Sequence, residues 1–247
     1  MSLFTFPDFT SLQNVLSKRM ISRIEQSITQ QGQASIVLSG GSTPKPLYQH
    51  LASHSIDWDK LYITLSDERW VSPLSPDSNI AMIRSQLIRE NKQAHFVSLT
   101  PSEEVWVKGE PSISSHIQQL RSNIDALNHP YAFTLVGMGE DGHTASLFPC
   151  APELELGLTS NHALVECNPT TAAHKRITMT RQELLNSELI LILIRGEKKF
   201  AVMENAISIA SCWKQPIYAL LEPEKVNKAL NIPQRNKIPA TEIYWCP

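Results

Sequence analysis

The sequence is short of the residues that usually advertise chemistry or location. It has four cysteines in 247 residues, and Cys150, Cys167, Cys212 and Cys246 include no Cys-x-x-Cys pair. That spacing points to neither a disulfide framework nor a thiolate metal site. No basic segment followed by an apolar stretch is found near Met1, so a secretory leader is not expected. The purest apolar run, 189–194, is far too short to cross a bilayer. Lys and Arg total 22 against 24 Asp and Glu, a formal net charge of −2. That balance argues against nucleic acid or an anionic membrane as a partner. Any anion site must be local. A reducing, cytoplasmic location is the simplest expectation, with the cysteines acting as small buried apolar residues.

Glycine is also scarce, nine in all, and five fall in two places: Gly40-Gly41 and Gly137, Gly139, Gly142. Both clusters follow short apolar runs that read as buried strands, 35–38 and 132–138. Glycine lets a backbone turn sharply and approach a ligand closely. Open α/β sheets bind their ligands at the C-terminal ends of strands, where both turns would lie. The literal Gly137-x-Gly139-x-x-Gly142 matches a dinucleotide fingerprint. Pro149 interrupts the helix that fingerprint needs, and no second strand with a terminal acid follows. Asp141 and His143 sit inside that turn. Ser39-Gly40-Gly41-Ser42-Thr43-Pro44 leads into a helical pattern, which presents free N–H groups and the positive end of a helix dipole to an anion. Thr43 is the expected N-cap, with Pro44 at the first helical position. It lacks Gly-Lys-Ser/Thr and so is no nucleoside-triphosphate loop.

The rest of the chain alternates. Apolar spacing predicts helices over 9–28, 46–51, 80–88, 113–127, 181–185 and 199–210. Strands are predicted at 61–65, 95–99, 163–166, 176–180, 189–194 and 217–221, and a loop over 100–111. The second strand ends in Asp67-Glu68-Arg69, a solvated loop or a site. This order predicts a single-domain, Rossmann-like α/β fold over 1–247, its mostly parallel sheet covered by helices on both faces. No Gly-x-Ser-x-Gly elbow is present, and Asp141-x-His143 lacks the His-x-x-x-His or cysteine-rich spacing of a zinc site, so neither a serine hydrolase nor a zinc site is expected. No cofactor is expected either, and the sequence does not fix an oligomeric state.

Taken together, Ser39–Pro44, Asp67-Glu68-Arg69-Trp70-Val71 with Ser78-Asn79, Gly137–Pro149, His174-Lys175-Arg176-Ile177-Thr178 and Gly196-Glu197-Lys198-Lys199 resemble 6-phosphogluconolactonases, in the same order. Related glucosamine-6-phosphate deaminases continue the central motif into Asn-Glu-Pro; this chain reads Leu147-Phe148-Pro149. The carboxylate those enzymes use in ring opening is therefore missing at Phe148. The resemblance implies hydrolysis of 6-phospho-D-glucono-1,5-lactone, a small sugar-phosphate partner, in the pentose phosphate pathway. His143 is then the expected general base, with Asp141 orienting it or helping to hold the substrate. Arg69 or backbone N–H groups of the turn would stabilise the oxyanion. Gly40, Gly41 and Ser42, with Arg176 and Lys199, would grip the phosphate, and Lys198 is a near-equal candidate for the lysine role. Asp67 and Glu68 would bind sugar hydroxyls or fix Arg69. The alternatives kept are a deaminase or isomerase and a non-catalytic sugar-phosphate sensor.

Overall fold

The computed structural model describes residues 1–89, 91, 93–233 and 237–247. Its strands, in chain order, are β1 (Ser2–Thr5), β2 (Ala34–Leu38), β3 (Leu61–Leu65), β4 (Asp67–Arg69), β5 (His95–Phe96), β6 (Phe133–Val136), β7 (Leu164–Cys167), β8 (Arg176–Met179), β9 (Leu189–Arg195) and β10 (Ala240–Cys246). Seven form one sheet in the order β1-β10-β9-β6-β2-β3-β5, with every pairing parallel. All residues of β2 and β6 are buried, as expected for strands covered on both faces.

The first helix, Phe9–Gln31, shows why these residues make this layer. Leu12, Leu16, Met20 and Ile24 recur every fourth residue and are fully buried against the sheet. Each such side chain contributes about 1.5–3 kcal/mol of burial. Asp8 caps the start by accepting from Ser11 N, and Gly32 ends the helix in the left-handed region.

Strand order locates the site. From β2 the chain steps to β3 and then β5 on one side, and β6 returns on the other side of β2. The loops leaving β2 and β6 therefore diverge, and a crevice opens between them at the carboxyl ends of the strands. The two glycine-rich turns flank that crevice.

Several expectations need correction. The predicted strands at 163–166 and 176–180 are not in the main sheet; β7 and β8 join β4 in a separate antiparallel sheet, β4-β8-β7. Residues 217–221 are helical, Tyr218–Leu221, not a strand. An apolar run buried on all sides has no period to separate the two, and here Arg181 donates to the Ala219 and Pro223 carbonyls to hold the segment. The strand expected over 95–99 is only His95–Phe96. The expected loop over 100–111 contains a short helix, Glu103–Trp106. The helix after β2 runs Lys45–Ala52 with Pro44 as N-cap and no capping side chain, so Thr43 does not fill that role. Cys167, Cys212 and Cys246 are buried, while Cys150 is partly exposed. No helix is long and apolar enough to cross a membrane among the described residues.

Candidate active site

A cleft of about 260 Å³ lies at the crevice. Gly40, Gly41, Ser42, Asp67, Arg69, His143, Arg176 and Lys199 all line it. Asp141 stands behind His143 in an adjoining pocket that also touches Arg69 and Arg176.

The turn after β2 presents backbone. Among the described residues, none of the N–H groups of Gly40, Gly41, Ser42 and Thr43 donates within the chain. Gly41 sits at φ +102, which an L side chain resists. Gly40 has a different reason: a Cβ there would overlap the side-chain amide of Asn79. Asn79 is buried and donates through Nδ2 to the Asp67 carbonyl, 3.0 Å. Pro44 and Pro46 carry no N–H, so the free donors concentrate on the glycine turn and the residues beside it.

The turn after β6 presents side chains. It closes on itself: Gly139 N donates to the His143 carbonyl (2.9 Å), Gly142 N to the Gly139 carbonyl (3.1 Å) and Thr144 Oγ1 to the Gly137 carbonyl (2.9 Å). The His143 Nδ1 edge lies 2.5 Å from Asp141 Oδ1, which also accepts from His143 N at 3.1 Å. With Nδ1 engaged, Nε2 is the nitrogen left for a reacting group. Burial alone would raise the Asp141 carboxyl, but hydrogen bonding to His143 and its charge hold it below the usual range. Gly139 lies beneath this pair, since a Cβ there would overlap both the His143 ring and Asp141 Oδ1. Ala145, which lines the cleft, is left-handed at φ 48, an unfavourable backbone kept at the site. From outside, Ile217 N donates to the Gly142 carbonyl at 2.9 Å, and Gln215 fills the space a Gly142 side chain would need.

The two arginines come from the small sheet. Arg69 and Arg176 are direct cross-strand partners on β4 and β8, so both point the same way, towards the cleft. Each has a buried Nε without a partner among the described residues. Arg69 Nη1 donates to the Asp77 carbonyl at 2.5 Å. The Arg176 guanidinium lies 3.8 Å from Asp67 Oδ2. Burial lowers Arg176 from its ordinary value; Asp67 opposes that and neighbouring Arg69 adds to it. An incoming anion would relieve both the repulsion and the unpaired donors.

Not every predicted residue serves the cleft in the expected way. Glu68 is fully buried and does not line it. Its carboxylate accepts from the backbone N–H groups of Arg69, Asn79 and Ile80 and from Ser78 Oγ, at 2.7–3.1 Å. That use caps the helix Asn79–Ile83 and leaves nothing for a sugar hydroxyl. Asp67 does line the cleft, but its oxygens already accept from Ser66 Oγ (3.0 Å) and Ser146 Oγ (2.6 Å). Lys199 reaches the cleft, whereas Lys198 is exposed and does not line it. His174 does not line the cleft and sits 3.2 Å from Asp77 Oδ2. Sequence reasoning did not give Asn79 its place under Gly40, nor the Gln215 brace on Gly142. Both are contacts between distant segments, and neither leaves a local pattern. Among the described residues, no group of three metal-ligating side chains clusters.

Comparison with known proteins agrees with the fold. The chain is 31% identical to a 6-phosphogluconolactonase of Xylella fastidiosa, over 99% of this chain and 96% of that protein. It is 33% identical to one of Mesorhizobium japonicum, over 98% and 94% of the two chains. A 6-phosphogluconolactonase crystal structure from Shewanella baltica superposes with a TM-score of 0.88 at 31% identity, covering 100% of this chain and 98% of that one. The model of the family described as glucosamine-6-phosphate isomerases/6-phosphogluconolactonase matches residues 7–229, and the chain belongs to that family.

Proposed function

We propose that this chain hydrolyses 6-phospho-D-glucono-1,5-lactone to 6-phospho-D-gluconate in the cytoplasm, within the pentose phosphate pathway. The observation that carries the reading is the Asp141–His143 pair at the rim of a cleft that also holds Arg69, Arg176 and Lys199. A phosphate binder without chemistry needs the cations but not the dyad.

In the mechanism, His143 Nε2 takes a proton from water as the water oxygen attacks C1 of the lactone. Asp141 holds the imidazole by Nδ1 and stabilises the imidazolium that forms. The carbonyl oxygen becomes an oxyanion, stabilised by Arg69 or by N–H groups of the β6 turn. Collapse breaks the C1–O bond to the ring oxygen, which receives the proton back from His143. The product is the open-chain acid, which then ionises and releases a proton to solvent. Gly40, Gly41 and Ser42, with Arg176 and Lys199, grip the phosphate and so place C1 at the base. Phe148 stands where a ring-opening carboxylate would be needed for deamination, and a lactone requires none.

Proton release from freshly generated lactone tests the proposal, because the uncatalysed reaction competes with aged substrate. Acceleration by the protein, with unphosphorylated gluconolactone a poor substrate in kcat/KM, is the expected result. Ammonia release from glucosamine 6-phosphate at a rival rate would put the deaminase reading first.

A further inference from the structure

Phe148 touches two members of the site, yet the mechanism above gives it only the part of a missing carboxylate. Its ring stacks on the His143 imidazole, with centroids 4.0 Å apart and planes 26° from parallel. The Arg176 Cζ lies over the same ring, 5.2 Å from its centroid. The ring is 3% exposed and is backed by Ala151 and Cys167, with Cys150 and Ala172 packed around them. Cys167 in turn donates to the Ser146 carbonyl at 2.9 Å, tying β7 to the turn that carries His143. Phe148 is therefore a fixed wall.

Both neighbours need one. Among the described residues, the imidazole is anchored by hydrogen bonding through Nδ1 alone, and one hydrogen bond leaves its plane free to tilt. Among the described residues, Arg176 is held by long polar contacts only, 3.4 Å to the Ala173 carbonyl and 3.8 Å to Asp67, and its Nε has no partner. An aromatic face attracts a guanidinium, and it attracts an imidazolium too, once His143 has taken a proton. We infer that Phe148 is a positioning residue: one ring sets the plane of the general base and the place of the anion-binding arginine, keeping them in register. This rests on the lactonase reading for the role of His143, while the hold on Arg176 stands on geometry alone.

The test compares Phe148→Leu, which keeps apolar bulk without a ring, with Phe148→Tyr, which keeps the ring. Proton release gives kcat, titration calorimetry with inorganic phosphate gives anion affinity, and thermal unfolding checks that each variant is native. Phe148→Leu should lose about ten-fold in kcat through the misaligned base. Its phosphate affinity should fall roughly three- to five-fold as Arg176 loses the ring face. Phe148→Tyr should restore both to near wild type. A Phe148→Leu protein with either readout within two-fold of wild type overturns the shared-ring proposal. So does a natively folded Phe148→Tyr as impaired as the leucine variant. If the wild-type protein released no protons from the lactone, the lactonase reading would fall, and the phosphate titrations alone would decide whether the ring holds Arg176.

Discussion

The two glycine turns look alike in sequence and do different things. After β2, glycines line the cleft with backbone whose N–H groups have no internal acceptor among the described residues, and Asn79 fills the space a side chain at Gly40 would take. After β6, glycines make room for other side chains: Gly139 for His143 and Asp141, and Gly142 for Gln215. In the mechanism proposed above, one turn grips and the other reacts. The lesson is that a glycine is explained by what occupies the volume of its absent Cβ. Gly137 sharpens the contrast, since a Cβ there would meet no protein atom within 4 Å yet would enter the cleft.

That division can be broken at named positions. His143→Ala should lower kcat by roughly 10²–10⁴, read as proton release from the lactone. Gly139→Ala should cost kcat about 10²-fold by displacing the ring of His143, a loss that an assay at saturating lactone would show. Arg176→Ala should raise KM for the phosphorylated lactone by about 10- to 100-fold, the worth of charge-assisted hydrogen bonds. It should leave the unphosphorylated lactone nearly untouched; equal losses on both would move Arg176 away from the phosphate. Gly40→Ala should raise KM roughly ten-fold with kcat nearly unchanged, the pattern of lost uniform binding.

The smallest effect concerns Glu68, behind the grip. Burial pushes its carboxyl up to about 7, against the pull of the three backbone N–H groups it accepts from. Its folded value lies above the ordinary glutamate value of 4.5. The folded state therefore holds a proton that the unfolded chain has lost between those values, and stability falls as pH rises through about 7. Glu68→Gln should destabilise by about 1–3 kcal/mol, because an amide nitrogen accepts nothing, whereas the hydroxyl oxygen of the protonated carboxyl still can. The gap in Tm between wild type and Glu68→Gln should narrow from pH 5.5 to pH 8. A gap that widened would contradict the raised carboxyl.

Much of this was legible before the structure because it was periodic or punctuated. The four-residue spacing of Leu12, Leu16, Met20 and Ile24 gave the first helix, and glycine clusters at strand ends gave both turns. His143 with Asp141 could be singled out because that residue pair has few structural reasons to sit in a glycine turn. What stayed hidden depends on tertiary partners. Asp67-Glu68-Arg69 reads as one charged patch, but strand alternation sends Glu68 inward to cap a helix and turns Arg69 to the cleft. The pairing of Arg69 with Arg176 spans more than a hundred residues and two segments whose antiparallel sheet no local pattern announces. Phe148 was read for what it replaces, and its contacts with His143 and Arg176 appear only in three dimensions.

The separation of grip from chemistry is tested most directly in one variant, His143→Ala, by measuring the affinity of 6-phosphogluconate beside the rate of lactone hydrolysis. The account predicts product affinity within about two-fold of wild type while kcat falls by roughly 10²–10⁴, because the β2 turn, Arg176 and Lys199 are left in place. A variant that kept more than about half the wild-type rate would remove His143 from the base role, since losing a general base costs far more. A variant in which affinity collapsed together with the rate would show that the two turns are not separate devices.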